Sequence, residues 1–140
     1  MLELAARIVA TYSLVVWLGG ILHLALAAIP QIRILEDRQT RILLTAGMMK
    51  RYNPYSWAAL TILTISIFYL GLPKALTGEN VLALPGMFIV SGLFAADFIH
   101  SFIYGPRAAR GDIHARKKAN ILAMSEIPPA LALPAVIILI

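Results

Sequence analysis

The chain has 140 residues, of which 60% are hydrophobic, and its mean hydropathy is +0.82. Soluble domains contain about 45–50% apolar residues, so this composition excludes an ordinary soluble domain and favours a membrane protein. The absence of cysteine excludes disulfides, iron–sulfur clusters and thiolate metal ligands. The net charge of +5 is confined largely to two loops and therefore indicates topology, not nucleic-acid binding.

Four apolar segments have about the length of 20 residues that crosses a bilayer core. We place them at residues 4–29, 54–73, 82–105 and 119–140. The first is too long for a signal-peptide core, so we expect it to remain as a helix. The segments predict an all-α integral membrane protein with one domain over residues 1–140, folded as an up-down bundle of four transmembrane helices. In that topology the first and third helices are parallel and diagonal.

Glycine and proline mark the predicted helix ends. The first helix ends near Pro30, the second at Gly71–Pro73 and the third at Gly105–Pro106. The amphipathic stretch from Gln31 to Arg51 is either a linker or an extension of the second helix. In the fourth helix, Pro128 and Pro129 predict a kink.

The basic residues are distributed very unevenly. All of the 12 except Arg7 and Lys74 lie between the first and second helices or between the third and fourth. The positive-inside rule places those two loops in the cytoplasm. We therefore predict a multi-pass protein of the cell (plasma) membrane with both termini outside.

Two histidines lie inside apolar segments, where an ionisable side chain costs several kcal/mol unless it is paired or ligated. His23 precedes Pro30 by seven residues and His100 precedes Pro106 by six. Each therefore lies roughly 10 Å from the cytoplasmic end of its helix. Two imidazoles at one depth on diagonal helices can ligate one iron, so we predict haem b with His23 and His100 as metal ligands.

Other residues complete the predicted haem site. Small residues one or two turns before each histidine leave room for a porphyrin: Gly19, Gly20, Gly92 and Ala96. Asp97 is placed to accept the second imidazole N–H of His100. Arginines at the cytoplasmic helix ends suit the propionates: Arg33, Arg107 and Arg110. The alternatives are that the small residues only pack helices and that the arginines only set topology.

The remaining candidates are an acid and four methionines. Glu126 is expected to accept hydrogen bonds from Tyr12, Asn120 or backbone freed by Pro128, with proton transfer as the alternative. Copper is the alternative metal, with the histidines and methionine thioethers as soft ligands; these are Met48, Met49, Met87 and Met124. His114 lies in a basic loop and is expected to be solvated.

Several stretches resemble a known family. VVWLGGILHLALAAIPQIR, RYNPYSWAALTILTISIFYLGL and DFIHSFIYGPRAAR resemble the first three helices of the CopD-like family of four-helix membrane domains. SEIPPALALPAVIIL resembles the start of the last helix in the HemJ type of protoporphyrinogen oxidase, a haem-b membrane protein. The resemblance implies a helical membrane bundle with a copper-uptake role or a haem-linked redox role.

The first functional hypothesis is a small b-type cytochrome, which as an enzyme would be a membrane oxidoreductase. It would pass electrons between a quinol or porphyrinogen and a redox protein partner, as a homo-oligomer or a subunit of a larger complex. The second hypothesis is a copper-binding or copper-transport protein. The third is a structural membrane subunit without a cofactor. Membrane lipid is a partner in all three.

Overall fold

A computed structural model describes all residues from 1 to 140 and contains only helices. Four of them are long and apolar enough to cross a membrane: α1 (Leu2–Arg33), α2 (Arg38–Thr77), α3 (Ala83–Ala109) and α4 (Ile113–Leu139). The predicted all-α chain with four membrane-length helices is confirmed.

The helices pack in sequence order around a square. Each helix contacts the next, α4 closes against α1, and α1 and α3 are diagonal. Arg7 near the start of α1 donates hydrogen bonds to the Ile137 and Ile138 carbonyls near the end of α4, at 2.7 and 2.8 Å. The Lys74 ammonium near the end of α2 lies 3.9 Å from the Glu3 carboxylate. Neighbouring helices therefore run in opposite directions, as an up-down bundle requires.

Apolar side chains both fill the bundle and cover its outside. The fully buried core includes Trp17, Leu60, Leu63, Ile67, Val90 and Leu133. Large apolar side chains such as Phe88 and Ile138 point outward with more than 70% of their surface exposed. By contrast, Asp97 and Glu126 are buried. An apolar outside with ionisable groups inside is the pattern that hydrocarbon solvent favours.

Two helices start earlier than their apolar residues predict, because aspartates cap them. Asp37 accepts hydrogen bonds from the backbone N–H groups of Gln39 and Thr40, so α2 begins at Arg38 and not at residue 54. Asp112 accepts one from the Ala115 N–H at 2.9 Å, so α4 begins at Ile113 and not at residue 119. The stretch from Arg38 to Arg51 thus belongs to α2.

The predicted stops at prolines are also too early. The second helix continues through Pro73 to Thr77, where Gly78 ends it with a φ of +71°, a conformation that glycine adopts without a steric penalty. The third helix continues through Pro106 to Ala109. A proline lacks only its own N–H and can remain in a helix when the surrounding backbone adjusts.

That adjustment takes the same form in α1 and α3. Each contains a π-helical segment before its proline, at Leu24–Ala28 and Ile99–Tyr104. The proline ring clashes with the carbonyl four residues earlier, and in both helices that carbonyl lies inside the π segment. The N–H of Ile29 bonds to Leu24 and that of Gly105 to His100, each five residues back. Helical hydrogen bonding therefore continues past both prolines.

Candidate functional site

The two predicted ligand histidines lie in different environments. His23 is exposed on the outside of α1, whereas His100 is half-buried on α3. Their helices are diagonal, as predicted. Each histidine lies at or next to a π segment. The side on which His23 projects, however, is the outer surface of the bundle.

The small residues near His23 do not form a common groove. Gly20 lies against the ring of Tyr52, whose hydroxyl donates a 2.6 Å hydrogen bond to the Trp17 carbonyl. A side chain at Gly20 would overlap that ring, so this glycine serves the close contact between α1 and α2. Gly19 is exposed and has open space beside it. A porphyrin plate therefore does not fit at Gly20, and a haem on His23 would have to lie on the exposed side of α1.

The small residues of α3 lie together. Gly92 is exposed with open space beside it, and Ala96 is half-buried. Both line a groove between α3 and α4 that has a volume of about 290 Å³. The other lining residues are Phe88, Ile89, Leu93, Ser125, Glu126 and Pro129. Glu126 of α4 is thus part of the lining of this groove, and His100 is not.

Three arginines predicted to hold propionates lie at the expected end of the bundle. Arg33, Arg107 and Arg110 are exposed near the ends of α1 and α3, opposite the end that carries Arg7 and Lys74. This placement agrees with the predicted clustering of basic residues on one side. His114 in the neighbouring loop end is exposed, as expected.

Asp97 and Glu126 are the two buried acidic residues of the bundle. Asp97 is 6% exposed and Glu126 is 3% exposed. Each has one carboxyl oxygen, Oδ2 of Asp97 and Oε1 of Glu126, that is buried without a hydrogen-bond partner. Both residues lie near the middle of their helices. We call these two side chains the acid pair.

The expected partners of Glu126 are absent. Tyr12 is 71% exposed on α1, and Asn120 is exposed near the start of α4. The side chain that interacts electrostatically with Glu126 is Asp97. The expectation that Tyr12 or Asn120 donates a hydrogen bond to this carboxyl is therefore wrong, because both side chains lie on outward faces of their helices.

Further polar side chains are buried on the other two helices. The Tyr52 phenol on α2 interacts electrostatically with both Asp97 and Glu126. Ser56, one turn after Tyr52, is 3% exposed. On α1, Trp17 is fully buried with an indole N–H that lacks a partner. No basic side chain is among the groups that act on either carboxyl.

The methionines proposed for copper do not converge. Met48 lies near the start of α2, and Met87 lies near the start of α3 at the opposite end of the bundle. Met87 is buried against Gly71, while Met124 is 61% exposed. The structure contains no group of three or more histidine, cysteine or acidic residues that could hold a metal ion.

The chain matches no protein-family model, no curated protein and no solved structure. The resemblance to CopD-like and HemJ-type proteins therefore stays a prediction, and the function has to be argued from the site. The sequence predicts that Asp97 lies beside His100 and does not connect Asp97 with Glu126. The signal that could have joined the two acids is simple, since they are the only acidic residues in the interior of the four apolar segments.

Proposed function

We propose that the chain is an integral membrane protein with four spans, cytoplasmic basic loops and both termini outside. The apolar outer surface and the basic residues at one end of the bundle support this topology. Thr77 and Ala109 are exposed at opposite ends. Thr77→Cys should react with an impermeant thiol reagent from outside the cell and Ala109→Cys only after permeabilisation. Labelling of both from one face contradicts the topology.

We propose that the protein binds and transfers protons within the membrane through the acid pair. The observation that carries this proposal is the burial of two carboxyl groups from neighbouring helices, each with an unpartnered oxygen and no basic partner. An isolated charged carboxylate in a low-dielectric interior is very costly. A proton is the smallest counter-charge that removes this cost.

The two carboxyls act as one unit. Each acid lies near the middle of one of two neighbouring helices, so we expect ionising one to oppose ionising the other and the pair to titrate as a coupled site. A shared site of this kind can take a proton from one side of the membrane and, after a rearrangement, release it to the other side. Tyr52 and Ser56 supply hydroxyl groups on α2.

Infrared difference spectroscopy and proton flux test this proposal. Protein in liposomes with an internal pH dye should conduct protons, and a pH step should change the carbonyl band of a protonated carboxyl. Asp97→Asn and Glu126→Gln should each abolish the flux and alter that band. Glu79→Gln, which changes an exposed acid near the end of α2, is the matched control. Unchanged flux in both acid-pair variants contradicts proton transfer.

Haem b bound by His23 and His100 is a second candidate function, as part of an electron-transfer protein, and it requires His23 to turn inward from the exposed side of α1. One observation favours it: π-helical segments occur beside both histidines, and such segments are frequent at functional sites. Haem would supply one-electron chemistry, and the histidines would hold its iron. Purified protein should then show a Soret band that His23→Ala and His100→Ala each remove. A protein without that band, or variants that keep a wild-type spectrum, contradict this candidate.

A further inference from the structure

The groove between α3 and α4 combines features that a simple packing defect does not explain. Its lining is apolar apart from Ser125 and Glu126. Glu126 is 3% exposed, and its Oε1 atom has no hydrogen-bond partner. The groove also reaches the outer surface, since Phe88 is 75% exposed and Gly92 is exposed. A residue with a buried carboxyl thus lines a space that opens sideways.

We infer that this groove binds a lipophilic organic cation in competition with protons. The inference rests on the acid pair of the proposed function and adds the class of ligand. When the cation enters, the protonated carboxyl of Glu126 releases its proton, and the carboxylate then pairs with the cation. When a proton returns, the carboxyl becomes neutral and the cation leaves. No bond other than the O–H bond forms or breaks.

The charges favour a cation over a neutral lipid-soluble molecule. No basic side chain lines the groove. A cation therefore gains from the Glu126 carboxylate in a medium where Coulomb interactions are strong. The exposed ring of Phe88 adds a face that attracts cations. A neutral hydroquinone would gain only a hydrogen bond.

The size and shape of the groove suit one compact ligand. Its volume of about 290 Å³ lies at the lower limit of small-molecule sites, which begin at about 300 Å³. The space exists because Gly92 and Ala96 are small, and a side chain added at Gly92 meets no atom within 4 Å. Gly92 can therefore be enlarged to fill the groove without disturbing the helix packing.

The pH dependence involves a short set of groups. Tyr52 on α2 and Asp97 on α3 are the titratable side chains that interact electrostatically with Glu126. The buried polar side chains of α1, Ser13 and Trp17, do not titrate. Lower pH should weaken cation binding, because protons then occupy the same carboxyl.

Binding of tetraphenylphosphonium to the purified full chain tests the inference. We expect saturable binding that weakens at least tenfold as the pH is lowered through the titration of the acid pair. The uncharged isostere tetraphenylmethane should not compete. Glu126→Gln should lose the binding, whereas Glu79→Gln should keep it. Equal binding of the neutral isostere, or pH-independent binding, overturns the inference.

Gly92→Leu tests whether this groove holds the cation. It should block tetraphenylphosphonium binding, and Gly19→Leu, at an exposed glycine with open space on α1, should leave that binding intact. Normal cation binding by Gly92→Leu shows that the ligand lies elsewhere and overturns the inference. Conversion of a dimer to a monomer by Gly92→Leu would show that a second copy fills the groove, which also overturns it. If the wild type binds no cation but Glu126→Gln loses the proton flux, the inference is overturned and the proposed function stands.

Discussion

The histidine pair and the acid pair lie in the same bundle but in opposite environments. His23 is exposed to the surroundings and His100 is half-buried, whereas Asp97 and Glu126 are nearly inaccessible. The histidines lie on diagonal helices, and the acids lie on adjacent ones. Side chains that share a depth therefore need not share a site. In a helical bundle, the direction in which a side chain projects from its helix decides which residues meet.

The largest expected effect tests whether Gly20 serves packing and not a cofactor. Gly20→Ala should lower the free energy of unfolding by about 1–3 kcal/mol through overpacking, and by about 1 kcal/mol more if Tyr52 loses its bond to Trp17. Gly19→Ala is the matched control, because open space surrounds Gly19. Unfolding in mixed micelles measures both. Equal stability of the two variants would show that the Tyr52 ring is free to move away.

The next effect concerns the energetic cost of the acid pair. Glu126→Met should raise the free energy of unfolding by about 1–3 kcal/mol, since it removes a buried polar group without a partner. Glu126→Gln keeps a polar group there and should give no such gain. The same unfolding assay compares the two variants. A loss of stability in Glu126→Met means that the carboxyl has a partner that stabilises the fold.

A smaller effect is expected at the histidines. His23→Leu should change the free energy of unfolding by less than about 0.5 kcal/mol, because the side chain is exposed. His100→Leu offers a comparison at a half-buried position on the diagonal helix. Thermal unfolding of both variants measures the difference. A large destabilisation by His23→Leu would mean that this imidazole has a buried partner. The histidine pair would then resemble the acid pair in being held inside the bundle.

The smallest effect lies outside both pairs, at the capped helix starts. The hydrogen bond from the Thr40 side chain lowers the pKa of Asp37, and that from the Ala115 backbone lowers the pKa of Asp112, each below its usual value of 3.8. A carboxyl with a lowered folded pKa stabilises the fold fully above its unfolded pKa. That contribution is lost as the pH falls through the folded pKa.

Asp37→Ala should therefore be less stable than the wild type at pH 7, and the difference should shrink on acidification below the usual pKa. Glu36→Ala, which removes an exposed neighbouring acid that does not cap a helix, is the control. Melting temperatures over a pH series measure both. A stability difference for Asp37→Ala that is constant with pH would mean that the cap acts without its charge.

The sequence predicts the helices better than it predicts the site. Apolar length alone gives four long helices in an up-down arrangement, and all four are present. The early starts of α2 and α4 follow from Asp37 and Asp112, aspartates at sequence positions where N-caps are common. Both aspartates are present in the sequence, but a single capping residue is a weaker signal than the hydropathy pattern, which predicts later helix starts.

The site could not be predicted to the same degree, because helix facing depends on contacts between distant residues. The position of His23 along α1 gives its depth, but its outward direction depends on which face packs against Tyr52 and Trp17. The meeting of Asp97 and Glu126 likewise depends on how α3 and α4 pack. A nearly uniform apolar sequence has little amphipathic pattern to fix these rotations.

The π segments of α1 and α3 also determine how the chain can change length. Each turn with hydrogen bonds to the fifth residue back holds one residue more than an α-helical turn would. A single-residue deletion inside Leu24–Ala28 or Ile99–Tyr104 therefore has a regular helix available to it. Such a deletion would turn the wide turn into an α-helical one and leave the residues beyond it, including Arg33 or Arg107, on the same faces as before. At these two places the chain can therefore lose one residue while both halves of each helix stay in register.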